Sequence, residues 1–450
     1  MSPFFVQALR RSGVWELPPN KAFLFGRQLS YASSDSADFR GLNPEDLEVR
    51  YRGSSIVPFG EFAFRKPLVR FDFTHEWNNL GYGAIRFGGI WGLAGRITLN
   101  QGEKVATIHD RETGEFVCDY VVRLEHDGRD TLWINRDVGL IDGYDWSVVE
   151  AFLEVPFVEE VPFGYDGAVT MRIDCDEAIE TGRRLFKLYD SLDVPFSVAI
   201  KTQQSIGSAD KNLISDLIAA GGSVVGHSHT HAPNWGGGGD ATMREIEESR
   251  KILRETGVSG INEEYVVSPF HQNSVEAVQG LQKSGVKGFV SGIICNDPEF
   301  LMARSGQVPL VDGIISHSQQ CMFHGDTVHA DPTLSVYFRA FRQALETRTF
   351  FGFLDHPFSN YWYGWASEDE RLDVHSRFLD VVTKTQGLWR ANLVDAMKFL
   401  DMRSKVRIRR EGSQWIATLP QVEGAERLPA VALKFQNRRV KLEAGNEVAL

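Results

Sequence analysis

Two short stretches concentrate side chains that bind metals or carry protons: Met171-Arg172-Ile173-Asp174-Cys175-Asp176-Glu177 and Gly226-His227-Ser228-His229-Thr230-His231. Both follow β-branched apolar runs. If the strand predicted at 169–173 continues, its period of two puts Asp174 and Asp176 on one face and Cys175 on the other. His227 and His231 are four apart, a spacing that joins two imidazoles on one helical turn or on a tight loop after a strand. One carboxylate with two imidazoles makes a three-ligand site that leaves a position for water, as a catalytic zinc does; a structural zinc is closed by four ligands and richer in cysteine. The second carboxylate is then free to act as a base. Taken singly, the aspartates also suit a helix cap before Glu177, and the histidines an exposed loop.

The elements that must position these groups alternate. A strand at 169–173 is followed by helical periodicity at 177–189, a strand at 194–200, a helix at 211–220 stopped by Gly221-Gly222, and a strand at 223–226 that delivers the histidines. Further on, strands are predicted at 264–267, 287–290 and 349–354, with helices at 240–255, 274–284, 331–347, 368–382 and 392–402. Such alternation predicts an α/β fold of parallel strands wrapped by helices, with active groups at the carboxyl ends of the strands. The run Gly236 to Gly239 lacks the Lys-Ser/Thr ending of a phosphate loop and reads as a mobile link beside the site.

The flanks differ. Residues 1–163 carry short apolar segments at 68–73, 96–99, 104–108 and 119–124 between Gly, Asn and Asp turns, the pattern of a β-rich accessory domain. Trp15, Trp77, Trp91, Trp133 and Trp146 fall there. They serve either as platforms for sugar rings or as core filling. The stretch 155–163, with two prolines and an acidic pair, suits an interdomain linker. Residues 403–450 revert to short strands and read as a small β-appendage, leaving 164–402 as the central unit.

Bulk properties bound the function. A chain of 450 residues is long enough for two or three units. With 60 acidic against 48 basic side chains and a formal charge of -12, it has no basic footprint for nucleic acid. No apolar run is long enough for a transmembrane segment. Cys118, Cys175, Cys295 and Cys321 form no C-x-x-C pair, which fits a reducing compartment, and the first residues do not read as a secretory signal. The expected location is cytoplasmic. The oligomeric state is not legible.

Together these motifs resemble the NodB-type polysaccharide deacetylases of carbohydrate esterase family 4, over about residues 168–402. Asp174-Cys175-Asp176 resembles the family's first motif in a spaced form also found in deformylases of lipid-linked aminoarabinose. His227-Ser228-His229-Thr230-His231 matches the second motif, and Leu354-Asp355-His356 the fifth. The third motif, Arg-x-Pro-Tyr, is matched only in part by Val267-Ser268-Pro269-Phe270, and the arginine that orients the base is missing there. Asp297 and Asp312 are the candidates for the carboxylate that raises the pKa of the fifth-motif histidine.

The resemblance implies a distorted (β/α) barrel and a divalent metal, most often Zn2+, with Co2+ or Mn2+ as substitutes. Asp176, His227 and His231 would be its ligands, Asp174 the base and His356 the general acid. A backbone N–H near Pro269 and Phe270 would help hold the oxyanion. Trp235 and Trp362, with Tyr361, Tyr363 and Trp365, either floor a sugar site or pack beneath the rim. His229 is given no role. The implied reaction removes N-acetyl from a polysaccharide, an oligosaccharide or a lipid-linked amino sugar. A deformylase or O-acetyl esterase uses the same groups. Loss of the arginine would also suit a catalytically weak carbohydrate-binding scaffold.

Overall fold

The computed structural model describes residues 3–29, 32–36, 47–52, 56, 62–64, 93–110, 112–136, 143–291, 305–308, 311–318, 321–357, 360, 362–436 and 438–450. The strand expected at 68–73, along with Trp77, Trp91, Cys295, Asp297 and Tyr361, lies outside them.

The strand Gly167–Cys175 is buried along its whole length. Val169, Met171, Ile173 and Cys175 face a large apolar core beneath the helices. The alternation of a strand therefore turns Arg172 and Asp174 to the opposite face. Neighbouring strands follow in the order Ser197–Ile200, Ser223–Gly226, Tyr265–Val267, Gly288–Ser291, Ile315–Ser318 and Gly306–Gln307 on one side, and Phe351–Asp355 then Cys321–Met322 on the other. Leu388–Ala391 also pairs with Gly167–Cys175. All these pairs are parallel except Gly306–Gln307 with Ile315–Ser318. The class is α/β as expected, and among the described residues the pairing path runs open from Gly306–Gln307 to Cys321–Met322.

Local sequence sets the covering helices. Ser274, Ser367 and Asn392 each accept a backbone N–H from three residues on and so start Val275–Lys283, Glu368–Lys384 and Leu393–Ser404. Such a cap contributes about 1 kcal/mol. The 177–189 stretch, expected as one helix, is a 3-10 turn Ile179–Gly182 followed by a helix Arg183–Ser191. The helix expected from 331 begins later, as Ser335–Thr347, behind a short helix Gly325–Ala330.

The N-terminal part builds a six-stranded sheet in the order Lys21–Phe25, Arg129–Ile134, Phe116–His126, Glu103–Asp110, Leu47–Tyr51 and Phe62–Phe64. Two helices, Pro3–Arg11 and Gly143–Leu153, join it. Trp146, Val148, Val149, Phe152 and Leu153 are all buried on one broad side of the second helix, with Ser147 and Ala151 half-buried on the other. Trp133 and Trp146 fill cores and offer no sugar platform; the Trp133 indole donates to Gly26 O at 2.8 Å.

The stretch expected as a linker is built in. Phe157–Val158 is a strand paired with Val431–Phe435, itself paired with Arg438–Leu442. The acidic pair is buried because it is satisfied: Glu159 meets Arg439 at 2.6 Å and Arg348 at 3.1 Å, and Glu160 accepts from the N–H of Phe350 at 2.8 Å. Arg403 donates to Val158 O and Glu159 O. Val406, Ile408, Ala417 and Leu433 share one core with the helix Leu393–Ser404.

Candidate active site

Strand register brings the chemistry together. Cys175, Ile200 and Gly226 are aligned across three neighbouring strands, so Asp176 and His227 leave at one level from the two strand ends that flank Ser197–Ile200. On the other flank Ile173 is opposite Asp355, which sets His356 beside Asp174.

The Asp176 Oδ1 lies 3.5 Å from both His227 Nε2 and His231 Nε2. The two imidazole nitrogens are 3.0 Å apart. One donor atom from each of the three residues falls within 4.8 Å of the others, the only such group of His, Cys, Asp or Glu among the described residues. His227 Nδ1 donates to Val267 O at 3.0 Å, which fixes the ring with its Nε2 facing the group. Burial, reinforced by His227, pushes the pKa of His231 down to about 2 and keeps its ring neutral. Asp176 Oδ1 is a buried carboxylate oxygen with no hydrogen-bond partner. Two imidazole nitrogens and an unsatisfied carboxylate oxygen converging on one point fit a divalent cation.

The histidine loop is held from below. Glu245, on the helix Asp240–Glu255, accepts the N–H groups of His229 at 2.9 Å and Thr230 at 2.8 Å, and the Thr230 hydroxyl at 2.7 Å. The Ser228 hydroxyl accepts from His231 N–H at 2.9 Å. Ser228 and His231 both have positive φ (62° and 60°), a tight turn that only such support maintains. His229 leaves the group and meets the Thr202 hydroxyl at 3.2 Å.

Asp174 is gripped by Arg172, Nε to Oδ1 at 2.6 Å and Nη2 to Oδ2 at 3.0 Å. Burial raises the pKa of Asp174, but Arg172, His227 and His356 outweigh it and hold the carboxyl below its usual range. Asp174 Oδ2 is 3.9 Å from both His227 Nε2 and His356 Nε2. For His356 burial is again the largest influence and lowers its pKa, with Asp174, Asp176 and Asp355 opposing.

The His356 backbone is anchored by a buried polar cluster. Asp355 accepts the His356 N–H at 2.7 Å and lies 3.0 Å from His375 Nε2 and 3.2 Å from Arg371 Nε. Tyr189 completes the chain at 2.8 Å from His375 Nδ1. Tyr363 stacks flat on the His356 ring, centroids 4.3 Å apart at 4°. Its loop is fixed where Gly325 and Gly364 touch: a Cβ on Gly325 would sit 2.0 Å from Gly364 O.

The expected site residues fare unequally. Asp174, Asp176, His227, His231 and His356 come together. Phe270 is 37% exposed with its ring 4.6 Å from that of His231, at the mouth, and Pro269 beside it is buried. Trp362 is 70% exposed next to Tyr363. Trp235 is corrected: it is fully buried with its indole N–H on Asn273 at 3.1 Å, so no sugar can reach its face. Asp312 is also corrected. It is exposed in the turn before Ile315–Ser318, and the carboxylate that meets the His356 ring is Asp174.

Sequence reading missed Arg172 as the orienting cation, although its place two residues before Asp174 on the strand was the signal. It also missed Glu245 and the buried His271, whose pKa burial and Arg172 push down to about 3. Nothing in the sequence separated those two from surface charge and core histidine.

No family model matches the sequence, and no curated protein does. Among solved structures the chain is similar to Agd3, described as a novel carbohydrate deacetylase, at 8% identity and a TM-score of 0.42, over 95% of this chain and 84% of the other. It is similar to PuuE allantoinase at 12% identity and a TM-score of 0.41, over 54% and 92%. A third is a family 4 acetyl xylan esterase from Clostridium thermocellum in complex with a cobalt ion, at 13% and 0.33, over 51% and 89%. Family 4 carbohydrate esterases, the class that the motifs resemble, are thus among its structural neighbours. The overlap is partial, and the chemistry stands on the side chains.

Proposed function

We propose that this chain is a metal-dependent hydrolase that removes N-acetyl groups from an amino sugar in a polysaccharide, oligosaccharide or lipid-linked form. The observation that carries the reading is the convergence of Asp176, His227 and His231 with Asp174 on one side and His356 3.9 Å beyond it. We read the large sheet as a distorted barrel of the NodB type, with 1–163 as an accessory domain and 403–450 as an appendage.

A divalent cation on Asp176, His227 and His231, zinc first and cobalt or manganese as substitutes, would lower the pKa of a water from about 16 toward about 7 and polarise the acyl carbonyl. The chain's own residues do the remaining work. Arg172 keeps Asp174 ionised and aimed, and Asp174 accepts the proton of the attacking water. A backbone N–H beside Pro269 and Phe270 helps hold the developing oxyanion. His356 delivers a proton to the departing nitrogen, because an amine is too basic to leave as an anion. Phe270, Tyr363 and Trp362 line the approach.

The guanidinium missing from the third motif is supplied from the strand of Asp174 itself, which favours turnover over a mere binding scaffold. Removal of formyl or of an O-acetyl group would pass through the same groups. The test is a panel of N-acetylated, N-formylated and O-acetylated sugars assayed for acetate and formate, with metal content measured on the same sample. Acetate release from an N-acetylated sugar that stops on chelation is expected. Sugar binding without acid release, unaffected by chelation, overturns the reading.

A further inference from the structure

A second cleft, of about 620 Å³, shares no residue with the catalytic group. Its walls come from residues 13–21, 153–156, 407–410 and 415, so the N-terminal segment and the C-terminal hairpin enclose it together. The volume is that of a small-molecule site. Its lining is chemically specific. Trp15 is 43% exposed, with Arg10 and Arg407 over its ring at 5.2 and 4.5 Å. Arg410 lies 5.8 Å over the half-buried Trp415.

The cleft carries Lys21, Arg407, Arg409 and Arg410 against Glu16 and Glu154, and these charges are unevenly matched. Lys21 is paired with Asp130 at 2.8 Å and lies 3.8 Å from Glu154, and Arg409 is paired with Glu411 and Glu447. Arg407 and Arg410 have no carboxylate partner among the described residues. Arg407 donates only to the carbonyls of Ser404 and Val406, and partial burial pushes its pKa down with no carboxylate to offset it. A guanidinium stacked over an indole keeps its edge N–H groups as a planar fork for a carboxylate or phosphate.

We propose that this cleft is a second saccharide site, taking a sugar that carries an anionic group, with the acid on the guanidinium edges of Arg407 and Arg410 and the sugar ring against the exposed part of Trp15. The choice of a sugar over another ring-bearing anion rests on the hydrolase reading above; the presence of an anion site does not. An acidic glycan held here would be tethered to the enzyme while its acylated residues reach the catalytic group.

The full chain is titrated by calorimetry and tryptophan fluorescence with trigalacturonic acid, glucose 1-phosphate, neutral N-acetylchitotriose and adenosine monophosphate. Saturable binding of either acidic sugar is expected, at least tenfold tighter than the neutral one, and the arm that binds names the acid. Trp15→Ala and Arg410→Ala, both at exposed side chains, each weaken it on the order of tenfold, and Asp176→Asn leaves it unchanged. Circular dichroism checks that the variants fold. The proposal is overturned if neither acidic sugar binds, if binding ignores Trp15→Ala and Arg410→Ala, if the neutral sugar binds equally and that binding also falls in Trp15→Ala, or if only the nucleotide binds. Acetate release from the N-acetylated panel above, assayed on the same protein samples, separates the two readings: acidic-sugar binding without acetate from that panel sinks the hydrolase alone, and acetate without acidic-sugar binding sinks this site alone.

Discussion

Arg172 and Asp174, two residues apart on one strand, form a two-point ion pair at 2.6 and 3.0 Å with both side chains buried. The guanidinium reaches forward along its own strand, and the Val267–Phe270 segment carries no arginine. The pair fixes the carboxylate plane and keeps it charged beneath the two histidines. Arg172→Met leaves a buried carboxylate without its cation, so a loss of about 3–5 kcal/mol is expected. With Arg172 gone, burial raises the pKa of Asp174, and the acid limb of the pH–rate profile moves upward. Urea unfolding at neutral pH and the pH profile of acetate release check both; a variant with wild-type stability and profile would remove Arg172 from the account.

Asp176→Asn and His231→Ala should lose the cation, while Asp174→Asn keeps it and slows turnover by about 10²–10⁴-fold. Metal analysis of purified samples separates these outcomes. A cation at a hundred times its Kd stabilises the fold by about 2.7 kcal/mol, so chelation should lower the Tm of the parent and of Asp174→Asn but not of the ligand variants. Equal metal content in all four proteins would assign the ligands elsewhere.

His356→Asn tests proton delivery through the leaving group. Hydrolysis of an N-acetyl sugar should fall by about 10²–10⁴-fold. Hydrolysis of 4-nitrophenyl acetate, whose aryl oxide departs unprotonated, should fall far less. Parallel losses on both substrates would give His356 a different task.

Buried His317 carries a pH prediction for the fold. Burial pushes its pKa from 6.5 down to about 3, with Ser305 at 2.9 Å from Nδ1. Between those values the unfolded chain binds a proton that the folded chain refuses. The stabilisation is complete above the unfolded value and drains away as pH falls toward about 3. Each such histidine contributes a slope of about 1.4 kcal/mol per pH unit inside that window. Urea midpoints taken at several pH values should show a shallower slope for His317→Asn; an unchanged slope means that the ring is protonated in the fold.

Gly325→Ala places a methyl 2.0 Å from Gly364 O, a clash with backbone that no rotamer relieves. Overpacking of this kind costs about 1–3 kcal/mol. Since Gly325 N–H also donates to Tyr363 O at 2.7 Å, the strain should shift Tyr363 off the His356 ring and reduce turnover as well as stability. A variant that is destabilised yet fully active would show that the stacking does not matter.

Much of the site was legible because local spacing carried it. Asp174 and Asp176 straddle the end of the strand Gly167–Cys175, which their spacing after an apolar run signalled, and His227 and His231 meet because a four-residue interval can close on itself. The strand at 223–226 and the helix at 240–255 agree with their sequence patterns to the residue. Trp235 misled because an indole near ligands in sequence looks the same whether it faces solvent or core; only packing against the fold decides which.

The amino-acid order by itself determined which side chains share a strand face or a turn, since those relations repeat every two or four residues. Only the folded chain decided that His356, far along the sequence, stands beside Asp174, because that depends on Phe351–Asp355 pairing with Gly167–Cys175 in one register. It also decided that Arg172 faces Asp174 and not solvent, and that Glu159 and Glu160 are buried against arginines from distant segments. Long-range register and burial are collective outcomes of packing, and no local period encodes them.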